Sequence, residues 1–451
     1  MSTIIITVDA LRADHLSQYG YRRNTMPVID DWLANAIQVN PAIANGPHTA
    51  QSLPSLLTSQ YVPGEAVEEG PTIATPLQKL GLTTAAFHSN TAISTRYDTV
   101  ADFDHYEDFT TEMDKEKTDH TVPSSTRSRV YSKIVDSIGP IIGKVPGVRQ
   151  LAVNIHNSIE PTENQHEFSV YVEAETFTNQ LIQWIEAHSD EDFFLWAHYM
   201  DPHRPYGLHP DDPAFADEKP RKGELRRLMP KLANAPSDVT DSEWERAINL
   251  YDSDIKYVSE HLERLFETLE KAGIWDELNL ILTSDHGEEF GEHENSFHRN
   301  RGYEELINVP LFIKAHDRSG SSIKGVRELI DIAPTIARFY DASPDQFQGK
   351  NIYSNTERTP IVTGSIHEND KSVAVRPGEH KYIYTWSGSD VQYELYDLSQ
   401  DADESYSIQD EERAQKIHDM IPEQVLEEEF SFEVSADSEA ARQRLEDLGY
   451  L

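Results

Sequence analysis

The sequence predicts an α/β fold with a large, mostly parallel central sheet flanked by helices, and three observations carry this expectation. Short β-rich apolar runs alternate with helical patterns through the first 100 residues, as in chains that join parallel strands through helices. A long amphipathic helical pattern then leads directly into another apolar run. Finally, several apolar runs deliver acids or histidines at their C-terminal ends, where open α/β sheets bind ligands.

Taken in order, Thr3 to Val8 reads as a strand ending at Asp9. After Pro27, Val28 to Ile37 reads as a helix with Ile29, Trp32, Leu33 and Ala36 on one face. Leu77 to Leu80, Gly81 and Thr83 to Phe87 read as helix, terminal glycine and strand. Phe193 to Tyr199 is a buried strand running into Asp201-Pro202-His203. Thr240 and Glu243 have capping-box spacing, and Trp244, Ile248, Ile255, Val258, Leu262, Leu265 and Leu269 keep helical period until about Gly273. Leu278 to Leu282 is the next strand and delivers Ser284-Asp285-His286-Gly287. Val309 to Lys314 and a helix starting near Ile330 continue the pattern.

The chain carries 39 Lys and Arg against 79 Asp and Glu, a formal charge of −40. Phosphate backbones would be repelled by most of such a surface, so nucleic acid is excluded as an expected partner. Carboxylates spread along the whole chain fit a protein hydrated in concentrated salt, with an ordinary acidic protein as the alternative. Cysteine is absent, which removes disulfides, thiolate metal sites and a cysteine nucleophile from consideration. The opening Met-Ser-Thr runs straight into Ile4-Ile5-Ile6, and no apolar stretch is long enough to span a bilayer, so a cytoplasmic protein is expected.

Residues 124–150 differ from their surroundings, with Arg127, Arg129, Lys133, Lys144 and Arg149 facing only Asp136. Their apolar stripe suits an inserted helical hairpin packed on the core, or else a lid or peripheral membrane contact. Residues 401–451 hold 16 acids and four bases and read as a solvated tail closing in a short helix.

Asp9, Asp201 with His203, and Asp285 with His286 are the acid and imidazole groups brought to strand ends. Two carboxylates and an imidazole suit one divalent cation, Mn²⁺, Mg²⁺, Ca²⁺ or Zn²⁺. The order of motifs adds a family resemblance. Val8-Asp9-Ala10-Leu11-Arg12-Ala13-Asp14-His15-Leu16, Thr25-Met26-Pro27, Asp201-Pro202-His203-Arg204-Pro205-Tyr206 and Thr283-Ser284-Asp285-His286-Gly287-Glu288 resemble the sulfatase branch of the alkaline phosphatase superfamily. Gly291-Glu292-His293, His298, Val309-Pro310-Leu311, Asp331-Ile332-Ala333-Pro334-Thr335, Glu394-Leu395-Tyr396-Asp397-Leu398 and Leu448-Gly449-Tyr450-Leu451 extend the resemblance in the family's order.

This resemblance implies an alkaline-phosphatase-like sandwich at residues 1–345, with the basic insertion near 124–150, and a small C-terminal α+β subdomain with the acidic tail at 346–451. It implies a metal-dependent hydrolase of phosphate or sulfate esters acting on a small-molecule, glycan or lipid ester. Anchoring the family's nucleophile pattern on Ser55-Leu56-Leu57-Thr58-Ser59 puts Thr49 at the nucleophile, with Gln51 and Leu53 where Pro and Arg are usual. A second register would use Ser52. Asp9, Thr49, Asp285 and His286 then form the metal shell, Ala10 stands where many sulfatases place a further aspartate, and His203 and His298 contact the substrate or protonate the leaving group, with His293 as a substitute for either. Sulfatases of the family mature a Cys or Ser into formylglycine, a conversion closed to Thr, so phosphodiesters or phosphonates are favoured over sulfate. A phosphoglycerol or phosphoethanolamine transferase, and a non-catalytic glycan- or cation-binding scaffold, are the alternatives.

Overall fold

The computed structural model describes residues 1–61, 72–96, 102–110, 171–298, 301–318, 320, 322–354, 358–367, 370–387 and 390–427. The basic stretch 124–150 and the terminal Leu448 to Leu451 lie outside the described residues.

The strands are β1 Thr3–Val8, β2 Ile37–Ile43, β3 Thr83–His88, β4 His105–Asp108, β5 Phe193–Tyr199, β6 Asn279–Ser284, β7 Glu289–Phe290, β8 Ser296–Phe297, β9 Asn308–Val309, β10 Leu311–Lys314 and β11 Ile323–Glu328. Four more follow: β12 Ile361–His367, β13 Asp370–Val375, β14 His380–Ser387 and β15 Asp390–Asp397. The central sheet has the order β11-β2-β10-β6-β1-β5-β3-β4, with β9 beside β2. β1 lies parallel to both β5 and β6, and only β9 and β10 run against their neighbours.

Strands covered on both faces are largely apolar, and β1 and β5 follow this except at Thr3, Thr7 and His198. Ile4, Ile6 and Val8 of β1 enter one core while Ile5 enters the other; Phe193, Leu195 and Ala197 of β5 alternate in the same way with Phe194 and Trp196. The first core is closed by helices α3 (Ala174–Ala187) and α5 (Asp241–Lys271), after α1 (Val28–Trp32). The second is closed by α2 (Thr49–Thr58) and α6 (Ile332–Phe339), through Leu53, Leu56, Leu57, Ile332 and Ile336. Helix α4 (Lys222–Asn234) lies between α3 and α5 in sequence. The capping box at Thr240 and Glu243 is present at the start of α5, and Gly273 follows its end at a φ of +73°. Strands β12–β15 form a separate antiparallel sheet that shares a small core with helix α7 (Glu411–His418).

The structure corrects three expectations. The helix expected from Val28 to Ile37 ends at Trp32, and Ile37 opens β2. Its apolar spacing served two elements, one turn of helix and the first inward residue of a strand. The single strand expected at Val309 to Lys314 is split by Pro310, which has no amide to donate to the ladder. The stretch after residue 401 is not wholly a solvated tail: Glu404, Ala414, Ile417, Ile421 and Val425 are buried, the last four in the core of the C-terminal sheet. Among the described residues, no helix is long and apolar enough to cross a membrane.

Candidate active site

The carboxyl ends of β1, β5, β6 and β3 meet the first turn of α2, and the polar side chains that cluster there come from those ends. Asp9 follows β1 directly and Asp285 follows β6, neighbours in the sheet, so the two carboxylates arrive side by side. Ala10 sits at a φ of +56°, a left-handed conformation that costs an alanine about 1 kcal/mol. That turn aims the Ala10 amide at Asp285 Oδ1, 3.2 Å away, while the Ala10 carbonyl accepts from the Tyr251 hydroxyl at 2.6 Å. Gly287 lets the next loop approach: its amide donates to the Leu306 carbonyl at 2.7 Å, and a Cβ there would lie 1.9 Å from the Glu305 carbonyl oxygen.

Thr49 is the first residue of α2, with His48 rather than Thr49 at the cap. Its hydroxyl lies 3.3 Å from Asp9 Oδ2 and 3.1 Å from His286 Nε2. His286 Nδ1 donates to the Gly287 carbonyl at 2.7 Å, which leaves the Nε2 lone pair facing the carboxylates. Nε2 is 3.7 Å from Asp9 Oδ1 and 3.5 Å from Asp285 Oδ2. Those two carboxylate oxygens are buried without a hydrogen-bond partner. Ligand atoms of Asp9, Asp285 and His286 all fall within 4.8 Å of one another.

The charges explain what such a cluster requires. Burial, reinforced by the Asp285 carboxylate, raises Asp9 well above the ordinary aspartate value. Burial alone would lower His286, but Asp285 and Asp9 outweigh it and leave the imidazole above its usual pKa. Two buried carboxylates with oxygens unsatisfied, and an imidazole lone pair turned toward them, fit the donor set of one hard or borderline divalent cation.

His203 and His298 complete the neighbourhood. Their ring centroids are 5.2 Å apart, and that of His298 lies 4.5 Å from the His286 ring. His203 Nδ1 donates to the Arg204 carbonyl at 2.8 Å, leaving Nε2 as a buried acceptor without a hydrogen bond. His298 Nδ1 faces Glu288 Oε1 at 3.1 Å. Burial holds both rings well below the ordinary histidine pKa, His203 further lowered by His298 and Arg204, and His298 by His286 and Arg204.

Other residues go elsewhere. Asp201 turns away to pair with His209 at 2.5 Å and to accept the Ala174 amide at 3.0 Å. His293 stacks on Tyr303 with centroids 3.7 Å apart and reaches Glu305 at 3.3 Å, in a group with Glu404. Leu53, at the position where the family pattern has Arg, is buried in the apolar core. Ser52 is buried in the first turn of α2, and its hydroxyl has no hydrogen-bond partner.

Two groups at the centre were missed from sequence. His198 and Asn90 both donate to Asp9 Oδ2, at 3.2 Å and 3.1 Å. Each carried a signal: His198 is a polar residue inside an otherwise apolar strand, and Asn90 stands two residues beyond the end of β3.

A family model described as Sulfatase matches residues 2–342. The Escherichia coli (strain K12) protein called uncharacterized sulfatase YidJ is 24% identical over 297 residues, 59% of this chain and 58% of that protein. Arylsulfatase K of Mus musculus is 30% identical over 164 residues, 33% of this chain and 30% of the other. The chain thus matches less than two thirds of these relatives' own lengths. Among solved structures, the phosphonate monoester hydrolase SpPMH of Silicibacter pomeroyi has a TM-score of 0.67 at 16% identity, over 97% of this chain and 98% of that one. Likeness at such identity is likeness of fold.

Proposed function

The chain belongs to the sulfatase family of the alkaline phosphatase superfamily, a family of hydrolases, and from that premise we propose that it cleaves phosphodiesters or phosphonate esters in preference to sulfate esters, with Thr49 as nucleophile. The observation that carries the reading is the Thr49 hydroxyl at the start of a helix, within 3.3 Å of Asp9 and 3.1 Å of His286. A helix start stabilises an anion next to it, which suits both the attacking oxygen and a phosphoryl group. Sulfate cleavage in the resembling enzymes depends on an aldehyde hydrate made from a Cys or a Ser; the chain has no cysteine, and a Thr49 nucleophile cannot be converted.

Asp9, Asp285, His286 and Thr49 would hold the divalent ion, which when bound supplies positive charge for the attacking oxygen and the transferred group. Thr49 bonds to phosphorus as the ester oxygen leaves, and the hydroxyl proton has Asp9 Oδ2 as its acceptor. Water then displaces the acid from Thr49, which recovers its proton. Burial disfavours the charged form of His203 and His298, so a proton on either ring is favoured once an anionic ester sits against it. That proton goes to the leaving oxygen, and the ring recovers one from the attacking water.

The reading is tested with aryl sulfate, phosphate monoester, phosphodiester and phosphonate substrates, each assayed with Mn²⁺, Mg²⁺, Ca²⁺ and Zn²⁺. Strong preference for the sulfate would overturn it. Replacing His203 or His298 with Ala should slow esters with poor leaving groups about a hundredfold and activated aryl esters much less. Equal losses on both classes would remove the proton-transfer role.

The charge of −40 supports a working environment of concentrated salt. Folding gathers these carboxylates and salt screens their repulsion, so the melting temperature should rise from dilute to multimolar KCl. A melting temperature independent of KCl would refute that reading.

A further inference from the structure

Asp9 presents its two oxygens unequally: Oδ2 is surrounded by donors, while Oδ1 has none and faces Asp285 and His286. His198 is the least expected of these donors, a fully buried imidazole in the middle of the central sheet. Its partner across the parallel β1–β5 pair is Thr7, in register with it. The Thr7 hydroxyl lies 2.9 Å from His198 Nδ1, and Trp196 Nε1 lies 3.1 Å from the same hydroxyl.

The direction of this chain follows from what each group is able to do. An indole N–H only donates, so Thr7 accepts from Trp196 and keeps its own hydrogen to give. The Asp9 carboxylate only accepts, so Nε2 of His198 carries the hydrogen on that side. In a neutral ring Nδ1 is then the acceptor, and the Thr7 hydrogen is directed to it at 2.9 Å rather than to the Ala197 carbonyl, which lies 3.4 Å away. We infer that Trp196, Thr7 and His198 form a fixed donor relay that holds Asp9 Oδ2 and turns Oδ1 toward the ion, making His198 a positioning residue for metal binding. The inference rests on the reading of Asp9, Asp285 and His286 as metal ligands. Partners of this kind, one shell behind the ligands, typically change metal affinity 10- to 100-fold when removed.

The test is Mn²⁺ titration by calorimetry of the full chain after chelation and dialysis, with the melting temperature of the metal-free protein as a control for folding. His198→Phe should weaken Mn²⁺ binding about 10- to 100-fold, whereas His198→Gln, whose amide also donates, should recover most of it. Thr7→Val leaves the ring in place but loses its hydrogen-bond partner, and should show a smaller loss in the same direction. If His198→Phe does not fold, Thr7→Val and His198→Gln carry the test between them: unchanged affinity in Thr7→Val with weak binding in His198→Gln refutes the relay. Wild-type affinity in a folded His198→Phe also refutes it. If the wild-type chain itself binds no Mn²⁺, the metal reading of the site fails instead.

Discussion

Thr49→Ala should lower turnover by about a thousandfold or more, since loss of a covalent nucleophile removes the route rather than slowing it. The same variant should keep its metal, because Asp9, Asp285 and His286 retain their ligand atoms and Thr49 adds only one oxygen beside them. Thr49→Ser should stay measurably active, as it preserves the hydroxyl on the first residue of α2. Ser52 separates the two possible alignments of the nucleophile. It lies one helical turn further along, and its hydroxyl makes no hydrogen bond, whereas that of Thr49 reaches both a carboxylate and an imidazole. Ser52→Ala should therefore turn over at close to the wild-type rate. An active Thr49→Ala beside an inactive Ser52→Ala would reverse the assignment.

Much of this site was legible because strand ends are legible. Asp9 and Asp285 follow apolar runs whose boundaries the sequence marks sharply, and parallel neighbours put those ends on one edge of the sheet. Thr49 was reached only through the pattern Ser55 to Ser59, since its own surroundings, Pro47-His48-Thr49-Ala50, are unremarkable as a sequence. Ser59 sits at a φ of +57° after the helix, a left-handed position that favours glycine. His198 was hidden for a different reason. Periodicity assigns it to a buried strand, and nothing local states that its ring bonds to a carboxylate nearly 190 residues away, at a distance the register alone determines. The short α1 was misjudged because apolar spacing of three and four residues also fits a helical turn followed by a strand. The destination of Asp201 was hidden likewise: from sequence it stood beside His203, but its carboxylate is spent on His209 and the start of α3.

Removal of the divalent ion, by chelation or by Asp285→Ala, should abolish activity, and it should also change how stability depends on pH. In the metal-free protein Asp9 lies well above its ordinary 3.8, first through burial and then through the Asp285 charge. An acid whose folded pKa is raised binds protons more tightly when folded, so stability falls as pH rises from the unfolded value through the folded one. His286, raised by Asp285 and Asp9 against the effect of burial, has the same sign: its contribution is full below the unfolded pKa and lost as pH climbs through the folded one. His203 and His298, held below the ordinary histidine value, act in the opposite sense. The effect of the carboxylate pair is therefore read as a difference: chelated wild type should gain in melting temperature relative to Asp285→Ala as pH falls from about 8 to about 5. A bound ion opposes this by taking the place of the protons, and at a hundredfold excess over Kd it adds about 2.7 kcal/mol. The gain in melting temperature from added Mn²⁺ should accordingly be largest at the alkaline end. Asp285→Ala deletes one of the two repelling carboxylates together with a ligand. It should show no gain with Mn²⁺, and its melting temperature relative to chelated wild type should rise from about pH 5 to about pH 8, with elemental analysis finding the ion absent. Full metal occupancy in Asp285→Ala would exclude Asp285 from the shell, and an unchanged pH slope would mean that the carboxylate pair is not what raises Asp9.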